Sequence, residues 1–380
     1  MKVSFIVESR FNFIQNVLYR LKGMLLKKGK EMLQERIEGK WIETFASVFK
    51  LCRVESGTVV AIISETQSRP VNVQLTELAL HQLGAKAFHL IIPTPKQTTN
   101  IPIRSTGASM VLQGIKPVVE ALSNSELVVD VTVEGLLHAP EVSSVLKNGA
   151  RILMVSNEHP ETLERLLPDP ELTIKVKLGL KKLKSAKKMS VTSQAGTDLN
   201  INVTDATPGA AWGYADRPGL MSHWPGGLCL CFPQEKTVNG TLVLAPGDVN
   251  LTFKRYIETA VELTIVDDTI TKISGNGVDA ELFREYTAAW KDDETYAVSH
   301  VGWGMNPLAR WDSMAMYDKR DFNGTELRAF AGNFLYSIGA NETAGRYTQG
   351  HFDLPLRNCT IKLDGETVVK EGVLQGDLAS

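Results

Sequence analysis

Residues 58–92 read TVVAIISETQSRPVNVQLTELALHQLGAKAFHLII, and their grouping decides the fold class. Thr58–Ser64 is a strand rich in β-branched residues, Val71–Leu83 carries apolar residues at helical spacing, and Ala87–Ile92 is a second strand. The alternation extends in both directions. Ile42–Cys52 reads as a helix, as does a segment begun near Ser109 and closed by Leu122. Leu127–Thr132 is strand-like, Ala139–Lys147 helical and Arg151–Val155 strand-like. Together they predict a mostly parallel, Rossmann-like sheet covered by helices. No Walker loop and no Gly-x-Gly-x-x-Gly follows the first strand, so this pattern does not read as nucleotide binding.

The texture changes after Lys188. Asn200–Val203, Thr241–Leu244, Val261–Val266, Thr269–Ile273 and Thr360–Leu363 read as strands around turns such as Asp364-Gly365, with helices expected at Asp279–Trp290 and Thr325–Ile338. The prediction is therefore an α/β domain over residues 41–190 and a sheet-rich α+β domain over residues 191–380, with the boundary near Ser190–Gly196. Ahead of both, residues 1–40 interleave Arg10, Arg20, Lys22, Lys27, Lys28 and Lys30 with Phe5, Phe11, Phe13, Leu18 and Leu25 in a helical manner. This basic amphipathic extension suits a membrane surface, a neighbouring subunit or a loosely ordered leader, and no function is assigned to it.

Composition narrows the classes. A chain of 380 residues has room for two domains and a substantial core, and its 43% hydrophobic and 22% charged residues are ordinary for a globular protein. A formal net charge of −2 offers no nucleic-acid groove. The basic run Lys181-Lys182-Leu183-Lys184-Ser185-Ala186-Lys187-Lys188 reads as the solvated end of a surface helix. Cys52, Cys229, Cys231 and Cys359 lack zinc-type spacing and read as buried thiols. Asn-x-Thr sequons at Asn202, Asn239, Asn250, Asn323, Asn341 and Asn358 follow no apolar signal segment and read as chance matches. No apolar run has transmembrane length, so a cytoplasmic protein is expected.

Chemistry concentrates in histidines. In Gly350-His351-Phe352-Asp353 an imidazole and a carboxylate two residues apart in an extended segment share one face, the geometry of a metal-holding pair. A second imidazole would complete the two-histidine, one-carboxylate face of non-haem Fe(II) oxygenases. The candidate is His300, in Ser299-His300-Val301-Gly302-Trp303-Gly304-Met305-Asn306-Pro307, a strand running into a tight bend. His138 lies just beyond the strand Leu127–Thr132, where loops leaving the carboxyl ends of parallel strands form ligand sites. Placed before Pro140, it reads, on the residues alone, more readily as a partner of a helix N-terminus.

Four motifs in order, Asp216-Arg217-Pro218-Gly219, Ser222-His223-Trp224-Pro225-Gly226-Gly227, the His300 segment and His351-Phe352-Asp353-Leu354-Pro355-Leu356-Arg357, carry a resemblance. From about Trp41 to nearly the C-terminus the chain resembles the 2,5-dihydroxypyridine 5,6-dioxygenase family, itself related to the aminopeptidase T-like metallopeptidases. The resemblance implies an Fe(II) enzyme, a homo-oligomer, that cleaves a dihydroxypyridine or hydroxypyridone ring with O2. It implies His300, His351 and Asp353 as iron ligands, His138 beside Leu137 as a catalytic base, and His223 as a substrate contact. Trp224 is expected to shape an apolar wall, and Trp303 and Asn306 to orient His300 while Trp303 borders the substrate. Where the family is expected to carry an acidic substrate contact, this chain has Ala210-Ala211-Trp212, which implies a differently substituted ring. Two rival readings remain: a dinuclear metallopeptidase drawing on Glu258, Glu262 and Glu281, and a non-catalytic binding or assembly protein.

Overall fold

Helix and strand alternate through the first half of the chain and build a five-stranded parallel sheet. The computed structural model describes residues 36–101 and 109–379, so the amphipathic extension expected over residues 1–40 lies almost wholly outside the described residues. The order is α1 (Gly39–Leu51), β1 (Val59–Glu65), α2 (Pro70–Gln82), β2 (Lys86–Ile92), α3 (Lys116–Ser123), β3 (Leu127–Asp130), α4 (Val142–Lys147) and β4 (Arg151–Val155), then helices α5 (Pro160–Arg165) and α6 (Pro170–Ser185). Strands β2, β1, β3 and β4 lie side by side in that order, all parallel. β3 is only four residues long, but all four are buried. Its Leu127, Val128 and Val129 are worth about 1.5–3 kcal/mol each in burial, enough to fix so short a strand.

One expected helix begins later than the pattern suggested. The segment opening near Ser109 makes turns until Gly114, at φ +76°, and α3 starts only at Lys116, with Pro117 in its first turn.

The fifth parallel strand comes from beyond residue 190. After β5 (Lys188–Thr192), β6 (Asp198–Asn202) and β7 (Thr207–Ala211), the chain returns as β8 (Met221–Trp224) and pairs with β4 in parallel register, Met154 opposite His223. Residues 191–380 otherwise form antiparallel sheets, from β9 (Leu228–Phe232), β10 (Val238–Leu244), the short pair β11 (Val249–Asn250) and β12 (Arg255–Tyr256), β13 (Val261–Val266), β14 (Thr269–Ser274), helix α7 (Val278–Ala289), β15 (Val298–Gly304), helix α8 (Thr325–Ala329), β16 (Phe334–Asn341), β17 (Arg346–Leu356), β18 (Thr360–Leu363), β19 (Glu366–Lys370) and β20 (Val373–Leu374). One sheet of eight strands runs β14-β13-β10-β6-β5-β18-β19-β20, and a second of five runs β17-β16-β15-β9-β7. Glu38–Ser380 pack as one unit. The α/β parallel-sheet half and the sheet-rich half anticipated from sequence are both present.

The helix expected over Thr325–Ile338 is the clearest correction. Helix α8 ends at Ala329, and Phe334–Asn341 is the strand β16, buried at every position between β15 and β17. A run buried on both faces has no polar face to reveal its period, so helix and strand look alike in sequence. Gly332 separates the two elements. Its φ is +83°, and a Cβ there would lie 1.8 Å from the Gly372 carbonyl oxygen.

The largest core cluster joins α6 and α7 to the antiparallel sheets, and a second lies between the parallel sheet and its helices. All four cysteines are free and buried, as their spacing suggested. Among the described residues no helix is long and apolar enough to cross a membrane.

Candidate active site and metal centre

The site forms where the carboxyl ends of the parallel strands meet the five-stranded antiparallel sheet. His351 and Asp353 stand on β17 two residues apart, both buried, with His351 Nε2 3.3 Å from Asp353 Oδ1. His300 comes from β15, two strands across the sheet, and its Nε2 lies 3.7 Å from the same oxygen. The ladder between β15 and β16 shifts register between Val298 and Val301, so His300 sits in a local irregularity of the pairing. On β16, Gly339 sits opposite His351 with φ +102°, where a Cβ would meet the Gly350 carbonyl oxygen at 1.8 Å, so only glycine fits beside the histidine.

His138 arrives from the other half of the fold. Asp130, the last residue of β3, folds the following loop over its own carboxylate. It accepts from Thr132 N at 2.9 Å, Thr132 Oγ1 at 2.6 Å and Leu136 N at 2.7 Å. The loop passes Gly135, at φ +77°, where a Cβ would strike Met154 Sδ, and delivers His138 with its ring centroid 4.8 Å from that of His351 and 6.1 Å from that of His300. One ring nitrogen from each of His138, His300 and His351 lies within 4.8 Å of the others, a group able to hold a metal ion. His138 Nδ1 is 3.1 Å from Glu342 Oε1. His223, on β8, faces the same pocket, and its Nδ1–H donates to the Pro225 carbonyl at 2.6 Å.

Electrostatics suit a cation. Burial pulls the His300 and His351 imidazoles below their usual range, outweighing the pull of Asp353, which favours the neutral form of both. Burial pulls His223 down to about 4, against the opposing effect of its hydrogen bond to Pro225. Burial would push the Asp353 carboxyl up, but the Arg328 guanidinium and the two histidines hold it well below the ordinary carboxylate range. Buried polar atoms are normally partnered, yet His138 Nε2, His300 Nδ1 and His351 Nδ1 have no hydrogen-bond partner. Neutral imidazoles around an ionised carboxylate make a nitrogen–oxygen donor set that fits a divalent first-row metal.

Six of the residues singled out in the sequence therefore line one pocket: Leu137, His138, His223, His300, His351 and Asp353. Trp224 and Trp303 do not. Trp224 is fully buried, donating from Nε1 to the Leu166 carbonyl at 3.0 Å and packing edge-on against Phe45. Next to His223 on a strand, it points to the opposite face. Trp303 lies in the large core cluster, paired across the ladder with Cys229. Asn306 ties the end of β15 to the Gly226 carbonyl at 2.9 Å. Glu258, Glu262 and Glu281 are exposed and none lines the pocket.

Sequence reasoning missed Arg328, whose Nε donates to Asp353 Oδ2 at 2.6 Å, and Ser337, whose hydroxyl donates to Asp353 Oδ1. Ser337 lies opposite Asp353 in the β16–β17 ladder, so reading Phe334–Asn341 as a strand would have exposed it. It also missed Glu342 and the apolar wall of Met154, Leu228, Leu230 and Leu335.

Fold and site together define a mixed α/β protein with a buried, histidine-rich metal-binding group at the junction of a parallel and an antiparallel sheet. Comparison with known proteins assigns the class more narrowly. Residues 40–376 match the family model for 2,5-dihydroxypyridine 5,6-dioxygenase. The 2,5-dihydroxypyridine 5,6-dioxygenase of Pseudomonas putida KT2440 is 38% identical over 334 residues, covering 87% of this chain and 94% of the relative. The solved structure of 2,5-dihydroxypyridine dioxygenase from the same organism superposes with a TM-score of 0.85 at 37% identity, over 90% of this chain and 98% of that one. AmpT from Thermus thermophilus shares the fold at 12% identity and a TM-score of 0.54, over 89% of this chain and 99% of its own. The chain belongs to the 2,5-dihydroxypyridine 5,6-dioxygenase family and is a dioxygenase.

Proposed function

We propose that this dioxygenase is a non-haem Fe(II), extradiol-type enzyme that opens the ring of a dihydroxypyridine or hydroxypyridone. The observation that carries the reading is the meeting of His300 and His351 at one Asp353 oxygen, at 3.7 and 3.3 Å, with His138 beside them. His300, His351 and Asp353 hold the iron, and Arg328 and Ser337 hold Asp353. Bound there, iron would supply the redox chemistry that lets O2 react with an electron-rich ring without an organic cofactor.

The protein's own residues do the rest. His138 takes the proton of a ring hydroxyl at Nε2, the nitrogen left without a partner when Nδ1 bonds Glu342, and later returns a proton to the opened product. His223 is neutral and spends its N–H on Pro225, so its Nε2 accepts a hydrogen bond from a substrate O–H or ring N–H. Leu137 with Met154, Leu228, Leu230 and Leu335 forms aliphatic walls that hold the ring and exclude water. Ala210 and Ala211 stand on β7 opposite Cys229 and Leu228 of β9, the strand that supplies part of this wall. No carboxylate is offered there, which favours a differently substituted ring, such as 3-hydroxy-4-pyridone, beside 2,5-dihydroxypyridine. Assembly as a homo-oligomer in the cytoplasm belongs to the same reading; free buried thiols accord with a reducing compartment.

The test is anaerobic loading with Fe(II), metal analysis, and an oxygen-electrode screen of pyridinediols and hydroxypyridones. One iron per chain and oxygen uptake with one of these rings are expected. Stoichiometric iron without uptake for any of them would sink the substrate class, and two zinc-like ions per chain would favour a peptidase.

A further inference from the structure

Glu342 reaches the site from the turn between β16 and β17, in the short 3-10 segment Glu342–Ala344. The turn is built rigidly. Asn341 Oδ1 accepts from Ala344 N at 3.2 Å and from Thr343 Oγ1 at 2.7 Å, and Asn341 Nδ2 donates to the Pro233 carbonyl at 3.2 Å. From this anchored turn the Glu342 carboxylate meets His138 Nδ1 at 3.1 Å, tying the loop after β3 to the hairpin that carries His351 and Asp353.

A neutral imidazole has one N–H and one lone pair, and a carboxylate accepts only from the N–H. The bond therefore puts hydrogen on Nδ1 and leaves the lone pair on Nε2, which is buried and without a partner. That lone pair has two competing uses. A ring nitrogen of His138 is within 4.8 Å of donor nitrogens of His300 and His351, so with the Glu342 bond in place His138 is already close enough to serve as a third imidazole ligand. A histidine bound to metal has no lone pair left for a substrate proton.

We propose that Glu342 is a positioning residue that holds His138 in its Nδ1–H form, so that the lone pair the substrate meets is on Nε2. The inference rests on the reading of His138 as the base, and the experiment separates the two.

The Fe(II)-loaded full chain is compared as wild type, Glu342→Gln, His138→Ala and the double variant, with glutamine preserving side-chain volume. Glu342→Gln is expected to keep one iron per chain and to lower kcat by about 10- to 100-fold while moving KM by less than about threefold. In the His138→Ala background the same change should alter residual kcat by less than about twofold, because the group it positions is gone. In the metal-free protein, ring 15N shifts of His138 should report hydrogen on Nδ1, and Glu342→Ala should convert this to a mixture of tautomers. Equal losses of kcat in both backgrounds, an unchanged kcat in Glu342→Gln, or a His138 tautomer unchanged in Glu342→Ala overturns the positioning role. Full turnover in His138→Ala alone overturns the base assignment instead.

Discussion

Asp353 is buried between partners of both kinds, and its behaviour follows from their balance. Burial opposes its charge, while the Arg328 guanidinium at 2.6 Å and the two histidines favour it more strongly. Arg328→Met, which keeps length and removes the charge, should weaken metal affinity by about 10- to 100-fold, measured by competitive metal titration. An affinity equal to wild type would mean that Arg328 does not support the carboxylate. The histidines divide by role. His351→Ala should lose metal and turnover together, whereas His138→Ala should keep its metal and lose turnover by about 10²- to 10⁴-fold. A His351→Ala protein with full metal content, or a metal-free His138→Ala protein, would reverse that assignment. His351 and Asp353 were legible as a pair because spacing of two along a strand fixes a common face. Arg328 was not, because nothing local joins it to a carboxylate 25 positions away.

Strand β15 and the loop after β3 position the two outlying histidines by different means. β15 is buried throughout and packs tightly against β9: a Cβ on Gly302 would lie 2.1 Å from the Cys229 carbonyl oxygen and 2.6 Å from Leu230 Cα. Both are backbone atoms and neither can swing aside. Gly302→Ala should cost about 1–3 kcal/mol or more in urea denaturation and should also weaken metal binding by displacing His300. Wild-type stability would show that the ladder accommodates the methyl. The loop depends on Asp130, whose carboxyl burial raises to about 6 despite three hydrogen bonds that lower it. A carboxyl raised in the folded state binds its proton more tightly than the unfolded chain does. Its contribution is therefore full below about pH 4, lost as pH rises through about 6, and worth about 3 kcal/mol in all. Wild type should lose about 2 kcal/mol of stability relative to Asp130→Asn between about pH 4.5 and pH 7. A pH-independent difference would remove the buried charge from the account. The β3 strand was legible from its apolar run. β16 was not, because burial on both faces erases the polar alternation that marks a strand.

The unit Glu38–Ser380 contains a site that no single segment supplies. His138 and His223 belong to the parallel-sheet half, and His300, His351 and Asp353 to the antiparallel sheet. A metal held by His300, His351 and Asp353, which only folding brings together, would bind only the folded state, so adding it should raise stability by about 2.7 kcal/mol at a free concentration 100 times its Kd. Thermal denaturation with and without a chelator measures this, and the shift should disappear in His351→Ala. A shift that survives in that variant would place the metal elsewhere. By itself the amino-acid order determined the strand–helix alternation, the shared face of His351 and Asp353, and the position of His138 beyond a parallel strand. These are local consequences of backbone periodicity and side-chain size. Only the tertiary structure decided that Trp224 and Trp303 are core, that β8 crosses back to complete the parallel sheet, and that Arg328, Ser337 and Glu342 surround the histidines. Those contacts join residues far apart in the chain, and the packing of one sheet against another, which no local pattern records, brings them together.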